Sequence, residues 1–313
     1  MAFQDWIRHA KARYANLDFT TATHLNIKET ESRLLRFPLN WWGDRIQRTP
    51  VFDEDWELLI VLDTCRVDAL ELLSHEFDYL QHDIPAFNSV GQTSYLWMER
   101  NFISEYSEEM ARTAHITWNP HSDNELDAEE WLALDEVWRD WPNDLRYLPA
   151  AQVTDHAVET YADTDAQKMI VHYMQPHEPY PGLDVNDEYV PEDVLDGKDN
   201  TTVFDLMKLG ELGADVVWFY YINTLRRVLE EIRRLVGALP YTDVVLTADH
   251  GETFGRYGFY GHPGSVTHPD TIRVPWLHLD TETISDTGLT DQKSKEPTEV
   301  SAEDRLQQLG YLN

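Results

Sequence analysis

The residues best suited to chemistry lie close together late in the chain. Thr247-Ala248-Asp249-His250-Gly251-Glu252 is followed by Gly261-His262-Pro263 and then by His268. Asp249 and His250 close an apolar run, and they can face one cavity if the backbone turns there. Gly251 permits such a turn. An Asp–His pair suits Zn or Mn, whereas Asp with other oxygens suits Mg or Ca. Taken alone, the tetrapeptide fits a surface turn equally well. A second carboxylate, Asp63, also ends an apolar run, Trp56-Glu57-Leu58-Leu59-Ile60-Val61-Leu62-Asp63.

Those runs are short and nearly continuous, as expected of strands buried on both faces. Lys168-Met169-Ile170-Val171-His172-Tyr173-Met174 is a third. Helices are expected at Val67 to Leu73 and at 95–103, 127–138 and 150–162. The strongest is 215–237, where Val217, Tyr221, Leu225, Val228, Ile232 and Leu235 recur at three- and four-residue steps. Ile272 to Leu279 reads as a late strand, with Pro275 implying an edge or a bulge. Strands alternating with helices predict an α/β fold with a mostly parallel central sheet sandwiched by helices. In such sheets functional residues gather beyond the carboxyl ends of strands, where Asp63 and Asp249 fall.

The order of these pieces resembles the sulfatase-like branch of the alkaline phosphatase superfamily. Asp63 comes first, then a hydroxyl-rich loop Asn88-Ser89-Val90-Gly91-Gln92-Thr93-Ser94. His177 follows in Met174-Gln175-Pro176-His177-Glu178-Pro179-Tyr180, then Asp249-His250-Gly251-Glu252, Gly261-His262-Pro263 and Arg273-Val274-Pro275-Trp276. The resemblance runs from about 56 to 279, and the closing Arg305-Leu306 and Leu309-Gly310-Tyr311 are similar to tails in that group. It implies an alkaline-phosphatase-like fold and a metal-dependent hydrolase of phosphate or sulfate esters working through a covalent Ser/Thr intermediate.

The resemblance also implies roles. Asp63, Asp249 and His250 become ligands of one divalent ion (Zn, Mn, Mg or Ca), which would cancel charge on the transferring group. Ser94 or Thr93 becomes the nucleophile, Ser94 favoured as nearest the start of the following helix, where an anion is stabilised. The alternative for Ser94 is a simple N-cap. His177 and His262 become candidates for holding the anion or protonating the leaving oxygen. His262 and His268 are left as second-site ligands.

The chain departs from that pattern in two places. Sulfatases mature a cysteine in a C-x-P-x-R segment, and Cys65-Arg66-Val67-Asp68-Ala69 lacks the Pro and the spaced Arg. Cys65 therefore reads as a packed thiol, and phosphoryl chemistry gains over sulfatase chemistry. Where two acids usually follow the first strand, the second position is Thr64. Arg66 reads as a structural partner of Asp68. The rival readings are a phospho-group transferase and a non-catalytic binding protein with this fold.

Charge bounds the rest. The 313 residues carry 57 Asp+Glu against 25 Lys+Arg, a net of −32. That argues against nucleic acid as a partner, since phosphate contacts need clustered Lys and Arg. With 18 Arg and only 7 Lys, the balance is that expected of a halophilic protein. One cysteine excludes an intrachain disulfide. The start, MAFQDWIRHAKARY, shows no export signal, so the cytoplasm is expected.

Three regions follow: a basic and aromatic arm at 1–50, a catalytic domain at 51–280, and 281–313 as an acidic loop with a C-terminal docking helix. Residues 1–50 carry a net +3 with Trp6, Phe37, Trp41 and Trp42. Such an arm suits peripheral membrane contact or lying on the acidic body. The expected partner is an anionic ester, with glycan-linked esters the natural class. Residues 183–200 read as a solvated acidic loop.

Overall fold

The computed structural model describes residues 3–140, 149–183 and 201–286. Its strands are β1 (Leu58–Leu62), β2 (Ala86–Asn88), β3 (Thr113–Thr117), β4 (Ala133–Glu136), β5 (Lys168–Tyr173), β6 (Val244–Thr247), β7 (Thr253–Phe254), β8 (Tyr260–Gly261) and β9 (Arg273–His278). Seven form one sheet in the order β2-β9-β6-β1-β5-β3-β4, and β7 and β8 form a separate hairpin. The five strands from β6 to β4 are mutually parallel, β9 runs antiparallel to β6, and β2, antiparallel to β9, runs in the direction of the five again.

The sequence of β1 explains its central place. Successive side chains of a strand point to opposite faces. Leu58, Ile60 and Leu62 enter one core with the helix Ala214–Ala238. Leu59 and Val61 enter a second core with Trp56, Trp97 and Met98. All five residues are buried, each such side chain contributing about 1.5–3 kcal/mol. The sheet is thus covered on both faces. Val61 stands opposite His172 of β5 and Thr247 of β6, so the residues following β1, β5 and β6 emerge along one edge.

The first four helices are α1 (Phe3–Asn16), α2 (Phe19–Gly43), α3 (Val67–Leu73) and α4 (Ser94–Asn101). Residues 1–50 are thus largely helical. Asp18 caps α2 by accepting from the Thr20 and Thr21 amides. Arg13 of α1 reaches Asn26 and Glu29 of α2. Leu25 packs beside Leu209 of the helix Val203–Leu209. The side-chain amide of Asn40 bonds Thr267 N at 2.8 Å and Ser265 O at 3.2 Å. Phe19, Leu34 and Phe37 are more than 70 % exposed. No described helix is long and apolar enough to cross a membrane.

Three local expectations need correction. Residues 127–138 are not a helix: Ala128–Glu130 is one 3-10 turn and Ala133–Glu136 is β4, paired in parallel with Ala114–Thr117. Burial of Trp131 against Phe102 and His115 and pairing with β3 outweigh the helix propensity of Ala, Leu and Glu. Strand β9 is not at an edge, because β2 covers its far side, pairing Ala86 with Pro275. Pro275 is tolerated because the ladder with β6 stops at Trp276. Finally, the stretch after 280 begins as a helix, Thr281–Asp286, with Ile284 buried, rather than as a loop. The docking helix beyond 300 and most of the acidic loop at 183–200 lie outside the described residues.

Candidate active site

Asp63 and Asp249 extend from the carboxyl ends of two adjacent parallel strands, and both are completely buried. Each uses one oxygen within the protein. Asp63 Oδ2 accepts from Asn119 Nδ2 at 2.8 Å and from Ser94 Oγ at 3.1 Å. Asp249 Oδ1 accepts from the amides of His250, at 2.7 Å, and Thr64, at 3.2 Å. Their other oxygens, Asp63 Oδ1 and Asp249 Oδ2, are buried and have no hydrogen-bond partner. His250 Nε2 lies 3.7 Å from the first and 3.5 Å from the second. His250 Nδ1 meets Gly251 O at 2.9 Å, so Nε2 is the nitrogen turned to the acids.

Two buried carboxylate oxygens without donors carry a large desolvation cost unless a positive charge sits between them. Burial and the charge of Asp249 push the Asp63 carboxyl well above its ordinary range. Burial acts the same way on Asp249, but His250 and His172 outweigh it and hold that acid low. Burial depresses His250 to about 4, leaving a neutral imidazole that is a ready ligand. Two oxygens, an imidazole nitrogen and the nearby Ser94 hydroxyl form a donor set that a divalent cation fits.

The hydroxyl comes from the loop before α4. Ser94 is the first residue of that helix, 3.1 Å from Asp63 Oδ2 and 3.3 Å from His250 Nε2. Thr93 turns the other way and caps α4, its Oγ1 accepting from Leu96 N. The loop is pinned by Ser89 Oγ, which donates to Asp249 O, and by close packing at Gly91. A Cβ on Gly91 would stand 2.3 Å from Trp97 N. At Gly251 a Cβ would stand 2.2 Å from Asp270 O, so the turn after the Asp–His pair accepts only glycine. Thr64, in the position of the missing second acid, is left-handed at φ 65°. Tyr221 holds it there, donating to Thr64 O at 2.9 Å while accepting from Arg66 N at 3.0 Å.

His177 and His262 complete the cluster. Their rings lie 5.2 Å apart, and His262 is 4.6 Å from the ring of His250. His262 Nδ1 is 3.2 Å from both oxygens of the buried Glu252, whose acid burial raises to about 7. The structure therefore brings Asp63, Ser94, His177, Asp249, His250 and His262 together. It does not bring His268, which is buried against Tyr257 and Phe259 and caps Pro269–Ile272. Arg66 pairs with Asp68 at 2.7 Å, as its position suggests, and also reaches Asp270 and Glu252 O. Cys65 is a buried free thiol.

Sequence reasoning missed His172 and Asn119. His172 Nε2 is 3.7 Å from Asp249 Oδ2, and neither ring nitrogen has a hydrogen-bond partner. One donor atom each from Asp63, His172 and Asp249 fall within 4.8 Å of one another. The signal was present: a histidine inside a strand buried on both faces needs a polar partner. Asn119 follows β3, which the apolar pattern did not reveal because Thr113-Ala114-His115-Ile116-Thr117 has only two apolar residues.

The sulfatase family profile matches residues 100–306. No curated protein matches the chain. Among solved structures, the soluble domain of lipooligosaccharide phosphoethanolamine transferase A from Neisseria meningitidis is 15 % identical, with a TM-score of 0.47. The match covers 74 % of this chain and 78 % of that one. The periplasmic domain of phosphoethanolamine transferase EptC from Campylobacter jejuni is also 15 % identical, covering 76 % and 85 % with a TM-score of 0.45. The 2-O glycosaminoglycan sulfatase BT1596 is 13 % identical, covering 72 % of this chain and 64 % of its own, with a TM-score of 0.46.

Proposed function

Because the chain belongs to the sulfatase family, we propose that it is a divalent-cation-dependent enzyme that cleaves phosphate esters through Ser94. The observation that carries this reading is that Ser94 Oγ lies 3.3 Å from His250 Nε2, which itself lies 3.7 Å and 3.5 Å from the unpartnered carboxylate oxygens of Asp63 and Asp249. The cation would be held by Asp63, Asp249 and His250, and when bound it supplies positive charge against the ester oxygens.

Ser94 attacks in line. A bond forms from Oγ to phosphorus as the bond to the leaving oxygen breaks, and the serine proton passes to Asp63 Oδ2, the oxygen to which Oγ donates. The leaving alcohol takes its proton from His177 or His262. Water then displaces Ser94 from the phosphoserine, releasing phosphate. Glu252, against Nδ1 of His262, fixes the orientation of that imidazole. Phosphate rather than sulfate esters are favoured because Ser94-Tyr95-Leu96-Trp97-Met98 lacks the Pro and the spaced Arg of the C-x-P-x-R segment that matures to formylglycine. We further propose a small or glycan-linked anionic substrate, a protein adapted to high salt, and a cytoplasmic location.

The test is turnover of aryl phosphate and aryl sulfate in molar KCl with Zn, Mn, Mg or Ca. Metal-dependent phosphate release that is lost in Asp249→Ala supports the reading. No turnover with any metal, and no bound metal after purification, overturns it. An added alcohol acceptor separates hydrolysis from phospho-group transfer, since transfer yields a new ester instead of free phosphate.

A further inference from the structure

A cavity of about 650 Å³ lies where the end of α2 meets the body. It is lined by Arg48, Arg100, Gln92 and Thr267, with Asn40 and Asp44 on the α2 side. None of Asp63, Ser94, Asp249 or His250 lines it, so it is separate from the candidate metal centre. Two guanidiniums converge on one backbone oxygen there. Arg48 Nη1 donates to Val90 O at 3.0 Å and Arg100 Nη1 donates to the same oxygen at 2.6 Å. Arg48 Nη2 also donates to Thr267 Oγ1 at 3.2 Å.

A guanidinium offers five N–H donors. Arg48 uses two and Arg100 one, so most of the pair's donors remain. Neither makes an ion pair with any described carboxylate, although the chain has 57 acids to offer. Asp44, on the same wall, offsets one of the two positive charges. Burial, and then the proximity of Arg100, lower the pKa of Arg48, while Asp44 opposes the shift. Two like charges held together over unfilled space, with Asp44 the one carboxylate of the lining, leave one positive charge unmet. Gln92 adds a second unmet need, since its Oε1 is buried without a hydrogen-bond donor.

We propose that this cavity is a second anion site, taking a phosphate or sulfate group in the fork between Arg48 and Arg100. Paired guanidiniums bind tetrahedral oxyanions through parallel charge-assisted hydrogen bonds. The cavity is larger than an oxyanion and falls in the range of small-molecule sites. It therefore has room for an organic body whose hydroxyl can donate to Gln92 Oε1. Val90 and Gln92 belong to the loop that carries Ser94, so an occupant here also braces the nucleophile loop.

Equilibrium dialysis of the full chain with labelled inorganic phosphate, in fixed molar KCl and saturating Mn²⁺, tests the site. The wild type should bind two equivalents, one at the metal and one in the cavity. Arg100→Gln, at an exposed position, should bind one, as should Arg48→Gln. Asp249→Asn should keep the cavity equivalent. If the wild type binds one and the arginine variants none, the cavity stands and the metal reading fails. Wild-type stoichiometry retained in both arginine variants overturns the proposal, as does an Asp249→Asn protein that is folded by circular dichroism yet binds none. Glucose 6-phosphate, measured on Asp249→Asn so that the metal centre neither binds nor cleaves it, identifies the source of the group. Binding tighter than inorganic phosphate, by about fivefold for one added neutral hydrogen bond, assigns it to an organic phosphate, and equal affinity to the free ion.

Discussion

Thr93 and Ser94 are adjacent hydroxyls with different work. Thr93 caps α4 and Ser94 faces Asp63 and His250. Replacing Thr93 by Ala should cost about 1 kcal/mol of stability, as for a lost N-cap, and leave most turnover. Ser94→Ala should leave the fold intact and lower kcat by about 10³-fold or more, since a covalent route has no substitute nucleophile. Chemical denaturation and steady-state rates on the two variants separate the roles. A Ser94→Ala enzyme with near-normal kcat would remove the covalent step. The metal gives an independent reading at this scale. Divalent ion at about a hundred times its Kd should stabilise the wild type by about 2.7 kcal/mol. Asp249→Ala should abolish that gain in a thermal melt.

Elements position these residues, and their legibility in sequence followed from how they are buried. β1, β5 and β6 were legible because strands buried on both faces leave nearly continuous apolar runs. The helix Ala214–Ala238 was legible because one face is buried and its apolar residues keep the helical period. β3 and β4 were not, because Thr, His, Asp and Glu hold their places through pairing and packing rather than through pattern. The same limit hid Asn119, which β3 delivers. At the site, Asp63, Asp249 and His250 could be read from strand ends, whereas the contact of Asp249 with His172 exists only through register. Tyr221 shows what the long helix adds: it secures the left-handed backbone of Thr64, next to Asp63. Tyr221→Phe removes that bridge. The expected loss is about 1–3 kcal/mol for the stranded polar groups, with weaker metal binding by titration calorimetry. Unchanged stability and metal affinity would mean that Thr64 needs no such support.

At the scale of the molecule, acid and salt act on different charges. His115 is buried beside Phe102 and Trp131 with neither ring nitrogen bonded. Burial, with His172 nearby, holds its pKa well below the ordinary value of 6.5. Burial likewise takes His268 to about 4. The unfolded chain therefore binds more protons as pH falls below 6.5, so stability present above that pH is lost on acidification. His115→Phe should flatten this loss between pH 6.5 and 4.5 in thermal melts, while an unchanged slope would assign it elsewhere. Salt opposes two other terms. Surface pairs such as Arg226–Glu76, Arg233–Asp78 and Arg234–Asp155 tie the long helix to the body and weaken when screened. Each contributes only about 0–1 kcal/mol. Mutual repulsion within a net charge of −32 is spread over the whole surface and is relieved as the Debye length shrinks to about 3 Å at 1 M. Repulsion outweighs a few exposed pairs, so Tm should rise from about 0.1 M to 2 M KCl. Turnover should rise with it, because the same field repels an anionic ester. A Tm that falls over this range would show that the attractive pairs dominate. A rising Tm with flat turnover would show that the bound cation alone already offsets the field at the site.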